Sequence, residues 1–511
     1  MTTTLRRTFT WTASALLLAA SLTGAAAQQS VLRIGLAEDP DVLDPTRGRT
    51  YVGRIVFASI CDKLFDIDDK LNIVPQLALS HETSADGLTV TIKLRPGVKF
   101  HDGEAMDAEA VRFSLDRHMN MQGSFRRPEL SAIDKVEVVD PLTVRLVLKQ
   151  PFSPLLSQLT DRAGMMVSPK AARELGERFG STPVCAGPYR FVERVQQDRI
   201  VVERFADYWN KDQVTIGRIE YRPIADATVR LANLRSGQLD LIERALATDI
   251  PQIRANAQLR MAVGVDLGYQ GVTLNIAKSD AGKQAFGRDP RITQAFSLAI
   301  DRQALNQVVF NGSAMPGNQW VNPQNPYYQS RFPVPQRDVA RARQLMQAAG
   351  VTGPLAVDFM VPNNPEVRQI AEVLQAMTAE AGFDLKIRVT EFATSLQEAE
   401  QGRYQAYMLN WSGRTDPDGN LFSFHGCRQP LNYSGYCNPA ADALLNEART
   451  KTDPAARKAI YEKLTEILLA EGGIVYLYHR PVVIVHSARL EGFRALPDGL
   501  VRVVGLKFRG N

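Results

Sequence analysis

Two short segments contain residues that could bind a charged solute, and the first is centred on Arg368. Asn364 and Pro365 are typical of the start of a helix, with the asparagine as its cap. Arg368 would lie in the first turn, where the positive end of the helix dipole disfavours a cation. The same position suits anion binding, because the free backbone N–H groups and the guanidinium can hold one anion together. The alternative is an exposed ion pair of Arg368 with Glu366 or Glu372.

The second segment spans residues 411–420 and reads W-S-G-R-T-D-P-D-G-N. It is rich in turn-forming residues and therefore predicts a loop. Trp411 could form an apolar wall of a binding site, although tryptophan is also common in protein cores. Asp416 and Asp418 could accept hydrogen bonds from an ammonium group, whereas Arg414 could bind an anion. Alternatively, Arg414 pairs with Asp416 and Asp418 and contacts no solute.

Motifs of catalysis are missing from the sequence. It contains no G-x-S-x-G, H-E-x-x-H or G-x-x-x-x-G-K-[ST] pattern. The six histidines are scattered, and His81-Glu82 has no second histidine four residues further on. We therefore expect a protein that binds a solute without converting it, and we expect no cofactor and no metal site.

The N-terminal residues 1–27 have the pattern of a cleavable signal peptide. Arg6 and Arg7 precede an apolar run at 13–20 and a small-residue site at 25–27. The paired arginines also resemble a twin-arginine signal, so both the Sec and the twin-arginine export routes remain open. The formal net charge is +5, without a dense basic block, which argues against nucleic-acid binding. We expect an exported protein, monomeric and without membrane-spanning segments after cleavage.

Four cysteines are present: Cys61, Cys185, Cys427 and Cys437. An even number in an exported protein favours disulfides over metal binding. Four cysteines allow three pairings. The short spacing favours Cys427–Cys437, which leaves Cys61–Cys185 as the second pair.

The elements that must position these residues are short strands mixed with moderate helices. Residues 90–94 and 144–148 alternate between apolar and polar side chains, as in half-buried strands. Asp338, Asn438 and Asp453 each precede an apolar helical stripe and could cap a helix. This mixture predicts an α/β protein.

Several motifs, in order along the chain, resemble one family closely. These are I-V-P-Q-L-A at 73–78, L-R-P-G-V-K-F-H-D-G at 94–103, A-G-P-Y at 186–189, L-R-S-G-Q-L-D at 234–240 and A-I-D-R at 299–302. Together they resemble the dipeptide/oligopeptide/nickel class of solute-binding proteins of bacterial ABC importers. The resemblance covers nearly the whole chain after the signal peptide.

The resemblance implies a periplasmic-binding-protein type II fold, with two lobes joined by a hinge and an extra domain on the first lobe. It implies the following division: lobe 1 from 28–75, 190–285 and 485–511, the extra domain from 76–189, and lobe 2 from 286–484. It also implies a periplasmic location and partnership with the membrane permease subunits and cytoplasmic ATPases of an importer. Such lobes close around their solute.

The family's binding site would include Arg368, which stands where the dipeptide-binding members have a carboxylate-binding arginine. Peptide-binding relatives have a W-x-x-D pattern whose aspartate holds the peptide's ammonium, but here Arg414 takes that position. Asp416 or Asp418 could replace the aspartate, or the ligand could carry an additional anionic group. The expected ligand is a short peptide or a peptide-like, possibly acidic and glutathione-like solute. The alternative is a non-peptide anion such as an opine or a sugar phosphate, and less so a periplasmic hydrolase or a peptide-holding chaperone.

Overall fold

The computed structural model describes residues 2 and 30–510, so the predicted signal peptide lies almost entirely outside the described residues. In chain order the strands are β1 (Val31–Leu36), β2 (Phe65–Ile67), β3 (Ile73–Pro75), β4 (Ala78–Thr83), β5 (Thr89–Leu94), β6 (Ile133–Asp140), β7 (Thr143–Leu148), β8 (Tyr189–Val195), β9 (Arg199–Arg204), β10 (Arg218–Pro223), β11 (Leu241–Ile242), β12 (Leu259–Val265), β13 (Tyr269–Leu274), β14 (Met315–Pro316), β15 (Leu355–Pro362), β16 (Phe383–Thr390), β17 (Ala406–Trp411), β18 (Ile474–His479), β19 (Pro481–Ser487), β20 (Leu490–Glu491) and β21 (Lys507–Phe508).

The α-helices are α1 (Tyr51–Ile60), α2 (Ala108–Asn120), α3 (Leu155–Gln158), α4 (Pro169–Leu175), α5 (Ala227–Arg235), α6 (Ile250–Arg254), α7 (Asp280–Lys283), α8 (Pro290–Leu298), α9 (Arg302–Phe310), α10 (Val339–Ala348), α11 (Pro365–Ala379), α12 (Phe392–Glu400), α13 (Asp418–His425), α14 (Pro439–Thr450) and α15 (Pro454–Glu471). None of the helices in the described part of the chain combines the length and the apolar character needed to cross a membrane.

Two large mixed sheets organise the molecule. The first has the strand order β12-β19-β11-β1-β10-β9-β8, with β1 parallel to both β10 and β11. The second has the order β14-β18-β13-β17-β15-β16, with β15 parallel to both β16 and β17. Each sheet packs its own apolar core against helices. We call the bodies around these sheets lobe 1 and lobe 2.

A third, antiparallel sheet of order β4-β5-β7-β6 is formed by the part of the chain between β1 and β8, which both belong to lobe 1. The predicted alternation is confirmed here, since Val90, Ile92 and Leu94 on β5 are all buried. Together with α2 they form a separate apolar core. We call this body the small domain.

Strand pairing corrects two of the expected lobe boundaries. Strand β13 pairs with β17 and β18, so lobe 2 begins by residue 269 and not at 286. Strand β19 pairs with β11 and β12, so the chain is back in lobe 1 by residue 481 and not at 485. The chain therefore crosses between the lobes at 266–268 and at Arg480.

Helix starts follow the predicted caps. The side chains of Asp338, Asn364, Asn438 and Asp453 each accept a hydrogen bond from a backbone N–H in the first turn of α10, α11, α14 and α15. Each such cap stabilises a helix by about 1 kcal/mol relative to alanine. The cap at Asn364 matters for the site, because the Asn364 side chain also donates to the carbonyl oxygen of Ala225 in lobe 1, at 3.3 Å.

Both expected disulfides are present. Cys61, directly after α1, is bonded to Cys185, shortly before β8. Cys427 is bonded to Cys437 and closes the loop between α13 and α14. The first bridge ties α1, whose other end lines the cavity described next, to the end of the small domain.

Candidate functional site

The strand ends of the two lobes face each other across an internal cavity. Glu38 follows β1 and Arg244 follows β11, which are parallel neighbours in the first sheet. Glu366 follows β15, and Trp411 ends β17, which are parallel neighbours in the second sheet. A ligand site outside the carboxyl ends of such strands is a general property of α/β proteins.

The cavity has two adjoining compartments. The crossing compartment contains about 590 Å³ of empty space, part of which is open solvent. It is lined by Ala37, Glu38, Ala227, Arg230, Arg244, Leu246, Gln270, Pro362, Asn364, Glu366, Val367, Phe392, Met408, Leu409, Asn410 and Arg480. The tryptophan compartment shares Glu38, Arg244, Phe392, Leu409 and Asn410 and adds Arg49, Thr50, Tyr51, Leu396, Trp411, Ser412, Phe424, Leu431 and Tyr433.

Opposite charges are paired around the crossing compartment. Arg244 is 3.1 Å from Glu38 and 3.3 Å from Glu243, a carboxylate buried behind the wall. Arg480 is 3.4 Å from Glu366. Burial raises the pKa of Glu38, which the nearby Arg244 opposes. A solute with an ammonium and a carboxylate could exchange partners with these pairs.

Two further donors face the same compartment. Arg230 is buried and donates to the backbone carbonyl oxygens of Ile224, Ala225 and Arg244. Burial is the main cause that lowers the pKa of Arg230, and the negative charge of Glu243 opposes it. In the described part of the chain, Nε2 of Gln270 is buried without a hydrogen-bond partner. An unpaired buried donor is costly, so it favours a ligand oxygen at this position.

The tryptophan compartment is walled mainly by apolar and aromatic groups. The Trp411 ring lies at 4.7 Å from the Phe424 ring, and its Nε1 donates to Asn420 at 2.8 Å. Arg49 donates from lobe 1 to the Tyr433 hydroxyl and to Glu400 in lobe 2. The structure thus places Trp411 on the wall of this compartment, and its contact with a ligand stays a prediction.

Arg414 does not pair with Asp416 or Asp418, which corrects that alternative. Its Nε lies 2.6 Å from Asp161 of the small domain, and its guanidinium carbon lies 4.3 Å from the centre of the Trp411 ring. Burial is the main cause that lowers its pKa to about 10, so the group stays charged at neutral pH. Arg414 therefore joins lobe 2 to the small domain behind the cavity wall.

Asp416 and Asp418 are held by other arginines, so the structure does not bring them to the cavity. Asp416 accepts two hydrogen bonds from Arg457, both 2.7 Å long. Asp418 lies 2.8 Å from Nε of Arg449 and accepts from Gln158 of the small domain at 3.0 Å. Burial raises the pKa of Asp418 to about 6. The expectation that one of them receives a ligand's ammonium is corrected, because both already have buried partners.

Arg368, expected to bind a ligand carboxylate, does not line either compartment of the cavity. Its side chain is 63% exposed and pairs with Glu372, one turn further along α11, at 2.9 Å. Asn364 and Val367 of the same helix start do line the crossing compartment. A helix turns by about 100° per residue, so the position after Val367 points away. The exposed ion pair considered from the sequence is what the structure contains.

Comparison with known proteins identifies the family. Residues 72–431 match the bacterial extracellular solute-binding proteins, family 5 Middle. The chain belongs to the family 5 solute-binding proteins. It is 30% identical to the glutathione-binding protein GsiB of Pectobacterium atrosepticum over 489 residues, which cover 93% of each chain.

Solved structures of similar fold extend the comparison to other ligands. The periplasmic binding protein AgaA of A. tumefaciens R10, in complex with agropinic acid, superposes with a TM-score of 0.86 at 25% identity, covering 94% of this chain and 99% of that one. The ABC transporter-associated periplasmic binding protein DppA of Helicobacter pylori, in complex with the peptide STSA, gives 0.84 at 23% identity over 94% and 98%. These similarities show the periplasmic-binding-protein type II fold.

Family 5 proteins are the solute-binding components of ABC importers and work with permease and ATPase subunits. Within the described residues, no group of three or more histidine, cysteine, aspartate or glutamate side chains is arranged to hold a metal ion. The geometry instead provides paired charges, an unpaired amide donor and aromatic walls between two lobes.

Sequence reasoning missed Glu38, Arg244, Glu366 and Arg480. The available signal was positional: charged residues directly follow short buried strands at Glu38 and at Arg244. The parallel pairing that brings these strand ends together involves segments far apart in sequence, so the signal was not specific.

Proposed function

We propose that this family 5 protein captures a short peptide-like solute, glutathione or a close analogue, and delivers it unchanged to its permease. The observation that carries the proposal is the arrangement of Glu38–Arg244 on lobe 1 opposite Glu366–Arg480 at the lobe 2 side. A free peptide has one ammonium and at least one carboxylate, and each pair supplies a partner for one of them.

Both lobes contribute to these contacts, so binding would favour the closed arrangement of the lobes. Contacts made in only one of two states shift the equilibrium toward that state. The similarity to GsiB over most of the chain supports glutathione as the first solute to test. We further propose that residues 1–27 direct export to the periplasm by the Sec or the twin-arginine route, and that the small domain corresponds approximately to residues 76–189.

The test is a calorimetric titration of the purified protein with glutathione and with short unmodified peptides. We expect one-site binding, with no loss of solute in a mass-spectrometric time course. Arg368→Gln is the control variant and should bind as the wild type does. Absence of binding by every peptide, or turnover of the solute, would overturn the proposal.

A second candidate is an opine-like anion. It is favoured by the similarity to AgaA, which was solved with agropinic acid. Agropinic acid in the same titration separates the two: tighter binding of the opine than of every peptide would assign the cavity to that class.

A further inference from the structure

Four buried arginines form a cluster where lobe 1, lobe 2 and the small domain meet. They are Arg54 on α1, Arg126 and Arg162 in the small domain, and Arg414 after β17. Their side chains are at most 8% exposed. We call these residues, with Asp161 and Glu129, the arginine cluster.

Two carboxylates must serve all four guanidinium groups. Asp161 lies 2.9 Å from Arg54, 2.6 Å from Arg414 and 3.6 Å from Arg162. Glu129 pairs with Arg126. The formal charge of the cluster is therefore +2, because four cations face two anions.

Part of the excess charge is offset from outside the cluster, because the buried carboxylates of Asp266 and Asp498 interact electrostatically with Arg54. Asp416 and Asp418 are each paired with an arginine of their own. Within residues 30–510, the remaining hydrogen bond of the Arg162 side chain goes to the backbone carbonyl of Gly48, at 2.6 Å. Burial and the neighbouring Arg126 push the pKa of Arg162 well below its usual value.

The described residues of the cluster include unpaired polar atoms of both kinds, because Oδ2 of Asp161 and Oε2 of Glu129 also lack a hydrogen-bond partner. Among the described residues, Nε of Arg126, Nε of Arg162 and Nη2 of Arg414 are buried and lack a hydrogen-bond partner. Arginine does not lose its proton in proteins, so these groups remain charged donors. Buried charges need partners, and an arrangement with unpaired cations favours binding of an anion.

The cluster lies directly behind the tryptophan compartment. Nη1 of Arg54 donates to the hydroxyl of Ser412 at 3.2 Å, and Arg414 stacks on the Trp411 ring. Ser412 and Trp411 both line the cavity. The balanced charge pairs thus line one end of the cavity, whereas the excess positive charge lies behind Trp411 and Ser412 at the other end.

We propose that the arginine cluster is a subsite for a carboxylate carried by the end of the solute that lies against Trp411. The proposal rests on the proposed function and narrows its substrate class. It selects peptide-like solutes with an additional carboxylate at that end. A γ-glutamyl peptide fits this description, because its α-carboxylate lies beside its ammonium.

The decisive comparison uses two solutes that differ in this one group. Glutathione has the glutamyl α-carboxylate, and 4-aminobutyryl-Cys-Gly lacks it. We expect wild-type protein to bind glutathione at least tenfold more tightly. The ratio of the two dissociation constants should fall to about one in Arg414→Met and in Arg126→Met. It should stay unchanged in Arg368→Met. Equal affinities in the wild type, or an unchanged ratio in both cluster variants that fold, would overturn the proposal.

Arg414→Lys tests charge separately from packing. It should retain most of the ratio, because the cation stays near the same place. If the other cluster variants do not fold, the comparison of wild type with Arg414→Lys decides. Equal affinities of Arg414→Lys for the two solutes, with the thermal midpoint Tm unchanged, would count against an electrostatic subsite.

A second readout is independent of the peptide. At constant ionic strength, sodium acetate should raise Tm of the ligand-free protein saturably, while acetamide should not. If no peptide binds, the proposed function fails, and this difference alone decides whether the cluster binds a carboxylate. Stabilisation by acetate together with equal affinities for the two peptides would assign the cluster to a free anion and overturn the solute subsite.

Discussion

The two ends of the cavity differ in how their charges are compensated. In the crossing compartment, Arg244 and Arg480 have glutamate partners within 3.4 Å. Behind the tryptophan compartment, Asp161 is the one carboxylate of the described residues that lies within 4 Å of Arg54, Arg162 and Arg414. Paired charges can exchange partners with a zwitterion, whereas an excess of one sign selects ligands of the other sign. The comparison suggests a general recognition end and a selective end.

The largest expected effect comes from removing the one carboxylate that three arginines share. Asp161→Asn should lower the free energy of unfolding by about 3–5 kcal/mol, because it leaves buried cations without a partner. Denaturant unfolding of the ligand-free protein measures it. Glu372→Gln, which breaks the exposed pair with Arg368, is the control and should change stability by less than about 1 kcal/mol. Similar small effects for both variants would show that the cluster is not under electrostatic strain.

At the crossing compartment the expected effect is on affinity. Arg244→Gln should weaken solute binding about 100-fold, or roughly 3 kcal/mol, because Glu38 and the solute carboxylate both lose a buried charged partner. Calorimetry should show this loss for every peptide tested. A loss confined to solutes with an additional carboxylate would reverse the roles of the two ends.

Buried histidines give each end a pH dependence. Burial lowers the pKa of His425, which follows Phe424 of the tryptophan compartment, to about 3 and that of His479, at the crossing, to about 4. Below the usual pKa of 6.5 the unfolded chain binds protons that the folded chain excludes, so stability falls as the pH drops. At pH 5 each histidine should contribute about 2 kcal/mol of this loss. His425→Gln should therefore reduce the decrease in unfolding free energy between pH 7 and pH 5 by about that amount, and an unchanged decrease would contradict the assignment.

The smallest effect is expected at Arg368. Its side chain is exposed, and its one ion-pair partner among the described residues is Glu372 on the same helix. Arg368→Ala should change the dissociation constant of any peptide less than twofold. A larger loss of affinity, measured by calorimetry, would show that Arg368 takes part in binding. It would count against the crossing compartment as the main site of charge recognition.

The sequence predicted the fold far better than the site. Strand alternation at residues 90–94, the cap at Asn364 and both disulfides depend on local patterns or on few alternatives. The lobe boundaries were less accurate, because β13 and β19 are assigned by pairing with distant strands. Local patterns do not specify such partners.

Two arginines illustrate why the site could not be predicted. Arg368 does not line the cavity, because it is rotated by one residue around α11 from Val367, which does. The sequence alone does not determine which side of α11 faces lobe 1. The partner of Arg414 is Asp161, which belongs to a different domain. The sequence suggested the nearby Asp416 and Asp418 as partners of Arg414. In the structure Asp416 pairs with Arg457 and Asp418 pairs with Arg449.

The most direct measurement is the position of glutathione in a crystal structure of its complex with the protein. The account predicts one molecule between the lobes, with one carboxylate at Arg244 or Arg480. It predicts the glutamyl α-carboxylate beside Trp411 and Ser412, towards the arginine cluster. A molecule bound outside the cavity, or one whose carboxylates both lie in the crossing compartment, would contradict it.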